Sequence, residues 1–168
     1  MTDQTSNNNR IAFIDISIFE DGSIRGGALV TDVVSKPYEF RVTSPIKPTQ
    51  LQKILYGNSL VEYVYGELIC FPLLKSLKEA VTLAICRDEH LLVARPNLSF
   101  PLIVIKKSEQ RTDKEGGGMI TVRTNKNFQG EKAQAEILLN MLSQQFDIFE
   151  PFERVKLAVS EANKQKIN

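Results

Sequence analysis

Residues 11–19, IAFIDISIF, constrain the fold more than any other stretch of this chain. Both alternating faces are apolar apart from Asp15 and Ser17. A strand that is apolar on both faces belongs inside a sheet covered on each side, so helices must follow to cover it. Glu20-Asp21-Gly22-Ser23 is a turn cluster, and residues 24–34 form a second β run, which predicts a hairpin over 11–34. Gly26-Gly27 interrupts the second strand and predicts either a bulge or a neighbour packed close over it. After a turn at Ser35-Lys36-Pro37, residues 38–43 alternate Tyr38, Phe40 and Val42 with Glu39, Arg41 and Thr43, the pattern of a half-exposed strand near an edge. The chain therefore opens with three antiparallel strands.

Pro45 and Pro48 end this meander, and Thr49 with Gln52 three residues on has the spacing of a capping box. Helical character runs toward Leu77, interrupted by Gly57-Asn58-Ser59 and Pro72. Residues 81–86 and 101–105 are short and uniformly apolar, as expected of buried strands, the first of them parallel, with a helical turn at 91–94 between them. Residues 106–118 are charged and end in three glycines, predicting a mobile solvated loop. Residues 119–123 suit a short edge strand. A helix is expected over 131–145, with Ala135, Leu138, Leu139 and Leu142 at helical spacing. Pro151 suits the first turn of a last helix, running to about residue 164 with Phe152, Val155, Ala158 and Val159 on one face. Residues 1–10 are a polar tail expected to be disordered, and 11–168 form one α/β domain with neither internal repeat nor linker.

Composition narrows the function classes. With 168 residues, 42% of them hydrophobic, 24% charged and a net charge of +1, the chain suits one soluble globular domain. Coiled-coil, collagenous and disulfide-stapled classes are excluded, and a strongly basic nucleic-acid coat does not fit. Any nucleic-acid contact must be local. Cys70 and Cys86 lie in apolar stretches without CxxC spacing, so buried free thiols are expected, not a metal site. His90 is the one histidine, which excludes a multi-His zinc site. No apolar run approaches the roughly 18 residues of a transmembrane helix, and residues 1–10 have no signal-peptide character. The expected setting is cytoplasmic.

Three carboxylates stand out. Asp15 lies inside an apolar strand, where an ionised group costs several kcal/mol unless a cation, a donor or water meets it. It either serves a site or pairs with Arg25 on the facing strand. Glu62 shares a helical face with Leu51, Ile54, Leu55, Tyr65 and Ile69 if residues 49–68 form one helix. If the helix breaks at Gly57, Ser59 and Glu62 make a second capping box, and Glu67 joins Leu60, Val64 and Phe71 on the apolar face. Asp88 follows the strand 81–86 at its carboxyl end, where open α/β sheets place ligands, beside Arg87, Glu89 and His90. Its other role is that of an ordinary N-cap.

Lesser signals are open to two readings. Glu131, at a helix start, is a conceivable fourth ligand, though acids favour that position in any helix. Gly116-Gly117-Gly118 lacks the GK[ST] of a phosphate loop and suits a hinge. Lys47, Lys53, Lys106, Lys107, Arg111 and Lys114 line a phosphate path or are solvated charge. Tyr56, Tyr63 and Tyr65 stack on bases or belong to a core or interface.

The order of elements, a three-stranded antiparallel meander followed by βα crossovers, resembles the ribonuclease H-like superfamily over about residues 11–105. Endonuclease V is nearest in element order, although its Arg-Glu after Pro-Tyr on the helix is not found here. The resemblance implies an α/β fold with a mixed sheet flanked by helices. It also implies that Asp15, Glu62 or Glu67, and Asp88 hold Mg²⁺ or Mn²⁺ for phosphodiester hydrolysis on nucleic acid. Asp15 and Asp88 would then reach a common ion. The alternative is a non-catalytic binding or assembly module that keeps the fold without the metal site.

Overall fold

The computed structural model describes residues 8–108 and 120–166. Most of the tail and loop expected from the sequence, including Gly116–Gly118, Arg111 and Lys114, lies outside the described residues. The six strands are β1 (Ile11–Ile18), β2 (Ile24–Thr31), β3 (Pro37–Val42), β4 (Leu83–Cys86), β5 (Leu102–Lys107) and β6 (Ile120–Thr124). They form one mixed sheet in the order β3-β2-β1-β4-β5-β6. β1, β2 and β3 pair antiparallel, β4 runs parallel to both β1 and β5, and β6 returns antiparallel to β5. The doubly apolar first strand is thus interior, as its composition demands. β2 stops at Thr31 and not at Val34 because Asp32 turns the chain, its Oδ1 accepting the Val34 and Lys36 amides at 3.0 and 2.9 Å.

The helical segments divide between the two faces. Residues 50–75 are broken into α1 (Gln50–Tyr56), a 3₁₀ turn Gly57–Ser59, the single turn α2 (Leu60–Glu62), a π-helix Tyr63–Cys70 and α3 (Phe71–Lys75). The later part of this run and the 3₁₀ segment Glu89–Asn97 cover one face, burying Ala12, Ile14, Ala28, Ile69, Leu74 and Leu91. α4 (Lys132–Ser143) and α5 (Glu150–Lys164) cover the other, over Ile11, Phe13, Leu29, Ile85 and Ile103. The glycine pair of β2 serves close packing on both faces. A Cβ on Gly26 would lie 2.2 Å from Ile69 Cγ2, and one on Gly27 would lie 2.4 Å from Val159 Cγ2.

The helix after the meander departs from both arrangements expected for it. Gly57 takes φ +53°, which a side chain resists, and ends α1 there. No second capping box follows: the Ser59 hydroxyl donates to the Tyr56 carbonyl at 2.6 Å and leaves Glu62 exposed. Beyond Glu62 the chain runs as a π-helix, whose i→i+5 bonding takes more residues per turn than an α-helix and which buries Val64, Gly66, Ile69 and Cys70. That shift of period turns Glu67 out to solvent, away from the face it was expected to share with Val64. Gly66 lets the π-helix touch the 3₁₀ segment, since a Cβ there would meet Val93 Cγ2 at 2.1 Å.

Candidate functional site

β1 and β4 run parallel with Ile11 beside Leu83 and Phe13 beside Ile85. Two residues further along the same pleat, Asp15 falls beside Arg87, both on the α5 face. Arg87 Nη2 donates to Asp15 Oδ2 at 2.5 Å, and its guanidinium lies over the Phe152 ring of α5, 4.7 Å from the centroid. The other carboxylate oxygen, Oδ1, accepts the Ile16 amide at 3.1 Å. Arg25, the partner expected from the sequence, is elsewhere. Gly27 is the residue opposite Asp15, while the buried Arg25 guanidinium donates to the Thr43 carbonyl at 2.9 Å and to Asn163 Oδ1 at 3.2 Å.

Asp88 leaves β4 on the opposite side. Its Oδ1 caps the 3₁₀ segment by accepting the His90 amide at 2.9 Å and lies 2.6 Å from His90 Nδ1. The His90 ring meets Tyr65 of the π-helix edge-on at 6.1 Å. Burial, with the Asp88 carboxylate adding to it, pushes the Tyr65 hydroxyl above its ordinary pKa. Among the described residues no three His, Cys, Asp or Glu side chains come together to hold a metal ion. Asp15, Glu62 and Asp88 therefore do not converge. Asp15 is paired with Arg87, Asp88 is turned to His90, and Glu62 stands in solvent at the end of α2. These residues do not fit Mg²⁺ or Mn²⁺. Glu131 is held by Arg95, whose Nε donates to Glu131 Oε1 at 3.0 Å. Cys70 and Cys86 are free and buried, and burial pushes the Cys70 thiol up to about 12.

A cavity of about 540 Å³ opens where β4 and β5 end, beside the Asp15–Arg87 pair. Arg87, Lys106 and Lys107 line it from the strand ends, Glu150 and Glu153 from α5 and Asp147 from the turn before it, and Ile105 and Phe149 complete the lining. Lys107 Nζ lies 4.9 Å from the centroid of the Phe149 ring. The volume falls within the range of small-ligand sites, and the location is the one where parallel strands place ligands. Chemically the cavity has a cationic wall for phosphate, an aromatic surface for a planar ring, and carboxylates for hydroxyl or amino donors. Sequence reasoning marked Lys106 and Lys107 but missed Arg87 as a functional group, along with Phe149 and the acids of the α5 wall. The available signal was pleat parity at Arg87, which needs the β1–β4 register. Tyr56 and Tyr63 stack on each other with centroids 4.2 Å apart, not on the cavity.

No family model matches this chain, and no curated protein matches it. Solved structures do. Endonuclease V of Ciona intestinalis, in complex with a 23mer DNA containing an inosine followed by a ribo-adenosine, is 16% identical with a TM-score of 0.39, covering 65% of this chain and 50% of that one. The same enzyme with a 24mer DNA is 15% identical with a TM-score of 0.39, covering 79% and 56%. Argonaute of Marinitoga piezophila, in complex with a 5′-OH guide RNA, is 9% identical with a TM-score of 0.40, covering 80% and 25%. The chain spans about half the length of the endonuclease V chains it is similar to.

Proposed function

We propose that this chain is a nucleic-acid-binding module on a ribonuclease H-like sheet, taking one nucleotide unit of a single strand in the cavity at the ends of β4 and β5. The observation that carries this reading is the Asp15–Arg87 pair. Where the hydrolytic alternative requires a carboxylate open to a divalent ion, this site holds a fixed guanidinium, and that guanidinium lines the same cavity as Lys107, while the Lys106 ammonium turns to Glu89 at 3.4 Å. A guanidinium binds phosphate but generates no metal-bound hydroxide to attack it. Phosphate belongs on the Arg87–Lys107 side, with the base against Phe149 and its amino group or the ribose hydroxyls toward Asp147, Glu150 and Glu153.

The test is fluorescence anisotropy with labelled single-stranded and duplex DNA and RNA, with parallel samples carrying Mg²⁺ or Mn²⁺ run on denaturing gels. Single strands bind in the micromolar range, duplex binds more weakly, and the strands stay intact. Metal-dependent cleavage that Asp15→Asn abolishes would replace this reading with hydrolysis by Asp15, Glu62 and Asp88. Absence of binding to every probe would remove nucleic acid as the partner.

A further inference from the structure

Of the carboxylates lining the cavity at the ends of β4 and β5, Asp147 and Glu150 are already engaged. Asp147 Oδ1 accepts the Phe149 amide at 3.0 Å, and Glu150 Oε2 accepts Arg154 Nε at 3.0 Å. Glu153 has neither a hydrogen bond nor an ion pair among the described residues, and its side chain is exposed. Of these acids it alone keeps both oxygens open to a ligand. Phe149 has helical backbone angles, φ −90° and ψ −16°, at the start of α5. Glu153 therefore stands one turn along from it on the same helix face. The Phe149 ring is half-buried, and Lys107 Nζ lies 4.9 Å from its centroid. A planar group packed against this ring has a cation beside it and an open carboxylate a turn away.

We infer that Glu153 reads the base and that the base is guanine, an inference that rests on the single-strand reading proposed above. An ionised carboxylate only accepts hydrogen bonds, and it offers two oxygens side by side. Guanine alone among the bases carries two adjacent donors on its Watson–Crick edge, N1–H and the N2 amino group. Both are met by one carboxylate, as charge-assisted hydrogen bonds. Adenine and cytosine set a ring-nitrogen acceptor beside their amino group, and that acceptor opposes the second oxygen. Uracil and thymine flank their single N–H with two carbonyls. Unpaired bases present this edge, whereas a duplex uses it for pairing. Arg87 and Lys107 add no preference, because they meet phosphate, which every nucleotide carries. A bidentate contact of this kind discriminates by about tenfold or more, and the exposure of Glu153 holds it near the lower figure.

Fluorescence anisotropy of the full chain with labelled uridine strands that differ only at one central base tests this. The strand with guanine binds about tenfold more tightly than those with adenine, cytosine or uracil. Replacing that guanine by 2-aminopurine, which keeps the N2 amino group but has an acceptor at N1, brings binding down to the adenine level. Glu153→Ala removes the guanine preference and keeps the wild-type circular dichroism, since the side chain is exposed. Lys107→Ala weakens all the strands by the same factor, which separates phosphate contact from base readout. Equal binding of the four strands overturns the inference and leaves the single-strand reading standing. So does a guanine preference that survives 2-aminopurine or Glu153→Ala, which would put the base reader elsewhere. Binding of none of the strands removes both readings.

Discussion

Asp15 has two possible kinds of neighbour, and they predict opposite responses to its removal. In a cluster of carboxylates awaiting a metal, neutralising it relieves repulsion and stabilises the protein. In an ion pair, neutralising it strands a charge. Asp15 is 18% exposed and Arg87 35%, so the pair is partly buried, and Arg87 is further fixed over Phe152. Surface pairs contribute up to about 1 kcal/mol and breaking a fully buried one costs 3–5, so Asp15→Asn is expected to cost about 1–2 kcal/mol. Urea denaturation measures it, and adding Mn²⁺ to wild type or variant is expected to leave the thermal transition in place. A stabilised variant together with a Mn²⁺-dependent rise for the wild type would show an acid cluster instead. The need for a partner at Asp15 was visible in the sequence, because an acid inside an apolar strand is anomalous. Which residue supplied it was not, since Arg87 is distant along the chain and meets Asp15 only through the β1–β4 register.

Among the elements, β3 is the exposed edge of the sheet, and Glu39 ties it down. The Glu39 carboxylate accepts the Lys78 amide at 2.9 Å, the Glu79 amide at 3.0 Å and Arg41 Nε at 2.8 Å, linking the edge to the chain that leads into β4. Burial draws its pKa upward, but the donors from Glu79, Arg41 and Lys78 outweigh burial and hold it below its ordinary value of 4.5. A carboxylate depressed on folding contributes stability that is complete above its unfolded pKa and disappears as pH falls through the lower folded one. Thermal melts from neutral pH down to about pH 3 are expected to show a shallower acid loss for Glu39→Gln than for wild type, because the variant has no proton to take up there. The strands and terminal helices were legible in the sequence because their periods of 2 and 3.6 are local. The run after α1 was not, because its π-helix winds with more residues per turn than an α-helix and buries Val64, Gly66, Ile69 and Cys70, a set that α-helical periodicity misassigns.

At the scale of the whole molecule, a net charge of +1 gives no long-range pull on a polyanion, so nucleic-acid binding must rest on the few cations of one cavity. Each phosphate neutralised on a single strand contributes about −0.7 to the slope of log K against log salt, so Arg87 and Lys107 together set a slope of about −1.4. Lys107→Ala is expected to make it less steep by about 0.7. Anisotropy titrations at a series of salt concentrations give both values. A slope much steeper than about −3 would place phosphate contacts beyond this cavity, and a flat one would mean that phosphate is not what the cavity recognises.

The sequence by itself determined the α/β class, the opening meander, the interior position of β1 and the two terminal helices that cover one face. Each follows from a pattern confined to a few neighbouring residues, a run apolar on both faces for β1 and an alternation or helical period elsewhere, and burial of apolar surface decides which sides turn inward. The tertiary structure alone decided which charged groups meet. Asp15 and Asp88 were singled out together in the sequence, yet they leave neighbouring strands on opposite faces, one to Arg87 and the other to His90. A pleat reverses its side chains at every residue, so one step of register separates a carboxylate that shares a site from one that faces away. That step is a relation between strands far apart in sequence, and no local pattern contains it.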